Sequence, residues 1–177
     1  MTDKSLPVAV IGAGPVGLAA AAHLVERGER PLVFEAGAEV GASVRSWAHV
    51  QVFSPWRYNV DSASRALLER HGWAEPDPDH LPTGGEIVDE YLKPLAQTPE
   101  LAPHIRLNAR VEAVSRRGTD KMKDAGRQDA PFVLRVLTPE GEEAVEAKAV
   151  IDASGTWPRP NPLGADGLPV PGERAKP

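Results

Sequence analysis

The 177-residue chain has no cysteine. That excludes disulfides, thiolate metal sites, thiol nucleophiles and a redox-active Cys-x-x-Cys pair. Its five histidines (His23, His49, His71, His80 and His104) show no metal-ligand spacing, so no metal site is expected. No H-E-x-x-H, G-x-S-x-G or Walker-type string is present. No apolar run is long enough to span a bilayer, and residues 1–4 lead straight into a first apolar run, so the expectation is no signal peptide and a cytoplasmic location. A formal net charge of −5 argues against general nucleic-acid binding.

What the chain does have is glycine in one telling place. Residues 10–17 read Val-Ile-Gly-Ala-Gly-Pro-Val-Gly. Before them Leu6-Pro7-Val8-Ala9-Val10-Ile11 is a short apolar run suited to a strand; after them Leu18, Ala21, Ala22 and Val25 recur at helical spacing, and Gly28 is placed as the helix stop. Gly12 lets the chain leave the strand through a dihedral that a side chain disfavours. Gly14 lets backbone approach a phosphate, Gly17 lets helix pack on strand, and Pro15 suits a first helical turn. Pro31-Leu32-Val33-Phe34 reads as a second parallel strand, and Glu35 ends it where a ribose-binding carboxylate belongs. Strand, turn, helix, strand and acid in this order point to a dinucleotide whose pyrophosphate sits on the helix N-terminus.

Residues 36–63 form a long, weakly periodic stretch whose aromatic content argues against disorder. Residues 62–71 predict a short helix ending at Gly72, and 76–82 a turn-rich connector. Thr83-Gly84-Gly85-Glu86 is a capping box opening a helix to about Ala96, with Ile87, Tyr91 and Leu95 on one face. Residues 105–107 predict a third parallel strand; 111–115, 131–137 and 144–147 predict an antiparallel meander with a hairpin turn at Pro139-Glu140-Gly141-Glu142. Residues 116–130 form a polar, charged loop, and Ala149-Val150-Ile151-Asp152-Ala153 is a last apolar strand. The expected fold class is α/β, a Rossmann-like parallel sheet joined to an antiparallel β-meander. Residues 1–160 are expected to form this domain, with 161–177 a Pro/Gly-rich linker or the start of a second, NAD(P)H-binding domain.

The last strand runs into Ser154-Gly155-Thr156-Trp157-Pro158, whose small residues let backbone pass close to a bound cofactor. Together with Gly12-Ala13-Gly14-Pro15-Val16-Gly17, Glu35 and the Gly41…Arg45-Ser46-Trp47 segment, this resembles the two-dinucleotide-domain flavoproteins, and among them the FMO and Baeyer–Villiger type of flavin-dependent monooxygenase. The resemblance implies FAD as cofactor and NAD(P)H as reductant in a complete enzyme, with O₂ activated by reduced FAD and a small-molecule substrate met largely by a second half. It implies that Gly12, Gly14, Pro15 and Gly17 pass the pyrophosphate and Glu35 takes the ribose hydroxyls. Arg45 and Trp47 would lie along the phosphate or flavin side, Val111 would meet the adenine through its backbone, and Ala153, Ser154 and Gly155 would line the cofactor. No catalytic acid, base or nucleophile is expected. Complete members carry a second Gly-rich motif that this sequence lacks, so a fragment, a truncated gene product or a split module is expected. Residue types alone leave other uses open: Glu35 as a solvated acid, Arg45 as a surface cation, Trp47, Phe53 and Trp56 as core anchors, Asp152 as a turn cap and Trp157 as packing. A non-catalytic dinucleotide module and an NAD-dependent dehydrogenase domain remain the alternatives.

Overall fold

The computed structural model describes residues 5–120, 122, 124–157 and 161–173. Residues 1–4, and Pro158, Arg159 and Pro160 at the end of the closing motif, lie outside the described residues. Four parallel strands form the central sheet: β1 (Val8–Ile11), β2 (Pro31–Phe34), β3 (Ile105–Arg106) and β7 (Ala149–Asp152), in the spatial order β3-β2-β1-β7. Strand β1 is the pivot, with Val8 in register with Pro31 on one side and Ala149 on the other. A separate three-stranded antiparallel sheet holds β4 (Arg110–Arg116), β5 (Phe132–Thr138) and β6 (Gly141–Ala147) in that order.

Alternation along the parallel strands sorts the core into two layers. Val10, Val33 and Ile151 face the helical layer, where they meet Leu18 and Ala21 of α1 (Pro15–Glu26) and Leu67 and Leu68 of α4 (Ser62–Arg70). Ala9, Leu32, Phe34 and Val150 face the meander, against Leu134, Val136 and Ala147. The sheet is therefore covered on both faces, which is why its strands read as continuous apolar runs.

Residues 36–63 hold two single-turn helices, α2 (Ala42–Arg45) and α3 (Trp56–Asn59), and fix themselves by burying Trp56 completely. The capping box is formed as the sequence predicts: Thr83 Oγ1 accepts from the Glu86 amide at 3.2 Å, and Glu86 Oε2 from the Thr83 amide at 2.6 Å. The helical run it opens is not uniform. It starts as α5 (Gly84–Glu86), widens into π-type hydrogen bonding over Ile87–Leu92, and ends as α6 (Lys93–Ala96). Pro94 accounts for the irregularity, since it has no N–H to offer the Glu90 carbonyl one turn back. Trp73 Nε1 donates to that carbonyl instead, at 2.8 Å.

Candidate functional site

The glycine turn sits where β1 gives way to α1, at the carboxyl ends of the parallel strands. Gly12 has φ +98, a conformation that favours glycine. A Cβ there would also lie 2.7 Å from the Ala153 carbonyl oxygen, so the turn after β1 and the exit from β7 touch backbone to backbone. A Cβ on Gly17 would fall 1.9 Å from the Gly12 carbonyl oxygen, so Gly17 lies behind the turn, packed against it. Gly14 differs: nothing lies within 4 Å of where its Cβ would be. It is also the N-cap of α1, with no side chain capping the helix and Pro15 following. The free amides of the first turn and their positive dipole end thus open on empty space.

Glu35 is anchored. Its Oε2 accepts from the Ala13 amide and its Oε1 from the Gly37 amide, both at 2.8 Å. The carboxylate laces the turn after β1 to the turn after β2, and each oxygen keeps lone-pair capacity for a further donor. The surrounding backbone is bonded in the same way: Gly41 N donates to Ala13 O at 2.9 Å, and Ala109 N to Glu35 O at 2.8 Å. The second bond brings the start of β4 to the end of β2, beside Glu35.

On the far side, Ala153 N donates to Ile11 O at 2.9 Å. Asp152 Oδ1 accepts from the Ser154 hydroxyl at 2.6 Å and the Ser154 amide at 3.0 Å. These two bonds, the hydroxyl first, hold the Asp152 carboxyl below the usual carboxylate range against the opposing effect of burial. Asp152 is a turn cap.

These elements enclose a cleft of about 900 Å³. Gly12, Gly14, Pro15, Glu35, Val111, Ala153, Ser154 and Gly155 all line it, as does the half-exposed Trp157. Gly17, Arg45 and Trp47 do not. Arg45 turns away to Asp89, with Nη1 donating to Oδ2 at 3.0 Å and Nη2 to Oδ1, and its Nε lies 3.6 Å from Glu39. The Arg45 guanidinium first, then Lys93, draws the Asp89 carboxyl down to about 2. Trp47 packs its ring edge where Gly84 leaves room, 2.6 Å from a would-be Cβ. Both residues tie the loop after β2 to the Gly84–Ala96 helical run. Phe53, for which residue type leaves a core-anchor role open, is almost fully exposed. Ser46 of the Gly41…Trp47 segment lines the cleft, as do Ser43 and Arg110, to which sequence reasoning assigns no role; the position of Arg110 beside Val111 was the available signal. Among the described residues no group of three or more His, Asp or Glu side chains gathers as a metal site, and no helix is long and apolar enough to cross a membrane.

The chain is similar to known proteins in sequence and in fold. A family model described as an NAD(P)-binding Rossmann-like domain matches residues 10–75. The chain is 31% identical over 172 residues to the monooxygenase cfoE of Aspergillus candidus, covering 92% of this chain and 27% of that protein. It is 31% identical over 171 residues to the flavin-containing monooxygenase FMO GS-OX-like 3 of Arabidopsis thaliana, covering 85% of this chain and 36% of the relative. The chain thus spans about a third or less of the relatives it matches. Among solved structures it resembles the bacillithiol disulfide reductase Bdr of Bacillus cereus, with a TM-score of 0.68, 25% identity, and coverage of 97% of this chain and 44% of that one. An oxidized steroid monooxygenase bound to NADP shares the fold at a TM-score of 0.63 and 24% identity, over 85% of this chain and 26% of its own. The resemblance read from the motifs and the Rossmann-like fold are both borne out.

Proposed function

We propose that this chain, a Rossmann-like dinucleotide-binding domain similar to flavin-dependent monooxygenases, holds FAD for an NAD(P)H-dependent oxidoreductase of the monooxygenase type. The observation that carries the reading is the uncapped start of α1, with Gly14 facing empty space, opening on a cleft of about 900 Å³ that Glu35 and the β7 exit also border. That volume lies toward the upper end of the roughly 300–1,000 Å³ range of ligand pockets. The first-turn amides donate to the pyrophosphate, and Gly14 lets it come within bonding distance. Glu35 accepts from the adenosine ribose hydroxyls with the lone pairs that Ala13 and Gly37 leave free. Val111 meets the adenine through its backbone, and Ala153, Ser154 and Gly155 border the cofactor beside β1. Bound FAD supplies hydride acceptance from NAD(P)H and, once reduced, reaction with O₂. In this reading residues 1–160 are the cofactor-holding unit, 161–177 a connector, and the cytoplasm the place of action. Its partners are the dinucleotide and a small-molecule substrate rather than nucleic acid or membrane.

Titration of the purified chain with FAD, followed by tryptophan quenching with NAD as competitor, tests this. A chain that takes up FAD in preference to NAD supports it; a colourless chain with no FAD affinity refutes it. A second reading, a cofactor-holding module with no turnover of its own, is favoured by the commitment of Glu35 and Asp152 to hydrogen bonds within the chain and the absence of histidine from the described cleft. Stopped-flow measurement of flavin reduction by NADPH separates the two: hydride transfer by this chain alone refutes the module.

A further inference from the structure

We propose that Arg110 stacks its guanidinium on the purine of the bound dinucleotide and so selects an adenine-bearing cofactor; this rests on the reading that the cleft holds such a cofactor. Arg110 is the single cation lining the cleft among the described residues. The Ala109 N–H to Glu35 C=O bond places the start of β4 against the end of β2, where the ribose acid stands. In a sheet of order β3-β2-β1-β7 the pyrophosphate lies over β1 and α1, the ribose beside the end of β2, and the base beyond it. Arg110 is therefore on the base side of the ribose, away from the phosphates.

Its side chain is available. Other arginines of this chain have close carboxylate partners: Arg65 is bidentate to Glu75 at 2.9 and 2.6 Å, and Arg106 pairs with Glu143. Arg110 has one carboxylate within 4 Å among the described residues, Glu112, with Nε 3.9 Å from Oε1, too far for a hydrogen bond. The register of β4 against β5 slips between Val111 and Ala113, a bulge next to Arg110 of the kind that re-aims side chains beside binding sites. The same sheet already stacks arginine on a ring, Arg116 over Phe132 at 3.7 Å from the ring centroid. A planar, weakly hydrated guanidinium favours a flat π face, and a purine offers a broad one.

Three variants of the full chain separate stacking from charge by equilibrium titration with FAD. R110A weakens FAD binding about tenfold. R110Y keeps a flat partner without charge and stays within about threefold of the wild type, whereas R110K keeps charge without the plane and binds no better than R110A. Any other order of affinities overturns the assignment and leaves the proposed function standing. A wild-type chain that takes up no FAD refutes the proposed function, and the assignment with it.

Discussion

Replacing Gly17 by alanine sets two opposing effects against each other in the first turn of α1. Ordinary helix propensity favours alanine by about 1 kcal/mol. Here, however, the added methyl would lie 1.9 Å from the Gly12 carbonyl oxygen and 2.9 Å from its carbon. A carbon and a carbonyl oxygen meet comfortably at about 3.3–3.6 Å, so a gap of more than about 1 Å has to be opened. Neither side yields easily, because the Gly12 N–H donates a hydrogen bond to Phe34 O at 2.7 Å and α1 is held by buried Leu18 and Ala21. Forcing a methyl into packed structure costs about 1–3 kcal/mol, and a backbone clash belongs at the upper end. The net loss is about 1–2 kcal/mol, equivalent to a melting temperature lower by about 2–8 °C for a chain of this size. The helix start also shifts relative to the cleft, so FAD affinity falls by about tenfold as a charge-assisted hydrogen bond is lost. Thermal unfolding followed by circular dichroism, with and without FAD, reads both effects. A G17A variant that melts at or above the wild-type temperature refutes the reasoning, for it would mean that propensity outweighs the contact.

Gly14→Ala acts in the opposite manner: with open space at its Cβ it costs at most about 1 kcal/mol of stability, the difference between glycine and alanine at an N-cap, yet weakens FAD binding at least about tenfold, as parallel melts and titrations read out. Glu35→Ala removes an acceptor from both Ala13 and Gly37, so denaturant unfolding of the FAD-free protein shows a loss of about 1.5–3 kcal/mol; an unchanged midpoint would sink the bridging role. Asp89, drawn from 3.8 down to about 2, contributes stability that is complete above about pH 4 and drains away as pH falls toward 2. Because the side chain is 54% exposed, the full linkage of about 2.4 kcal/mol reduces to about 0.5–1 kcal/mol. D89N flattens the loss of stability between pH 6 and pH 3 in denaturant titrations, and equal slopes for variant and wild type contradict the ion pair.

The elements legible in the sequence are those whose causes are local. β1, the glycine turn, α1, β2 and Glu35 follow one another within 28 residues, and each is signalled by periodicity, a breaker or a cap. The Thr83–Glu86 capping box spans four positions and forms as written. What escaped sequence reading depends on partners distant in the chain. Arg45 looks like a phosphate ligand until Asp89, 44 positions on, takes its guanidinium. Trp47 looks like a flavin contact until Gly84 gives its ring a place to pack. The π-type stretch follows from Pro94, and the carbonyl that Pro94 leaves without a donor is met by the indole of Trp73, which lies in the connection between α4 and α5. Phe53 is aromatic and close in sequence to Trp56, yet only Trp56 enters the core, since composition does not say which side of a turn faces inward.

The three glycines of the turn do not carry equal weight as signs of a ligand. Gly17 answers to the Gly12 carbonyl and Gly12 to the Ala153 carbonyl, so both are set by contacts the chain makes with itself. A fold with β7 beside β1 needs them even if it binds nothing, and the first and last motifs are halves of one internal contact. Gly14 has no such duty: its space is open, the helix behind it is uncapped, and its φ of −81 is one any residue adopts. Folding does not require glycine there, but a phosphate at that amide does. The weight of the dinucleotide reading therefore rests on one glycine, a helix end and a carboxylate anchored by two amides.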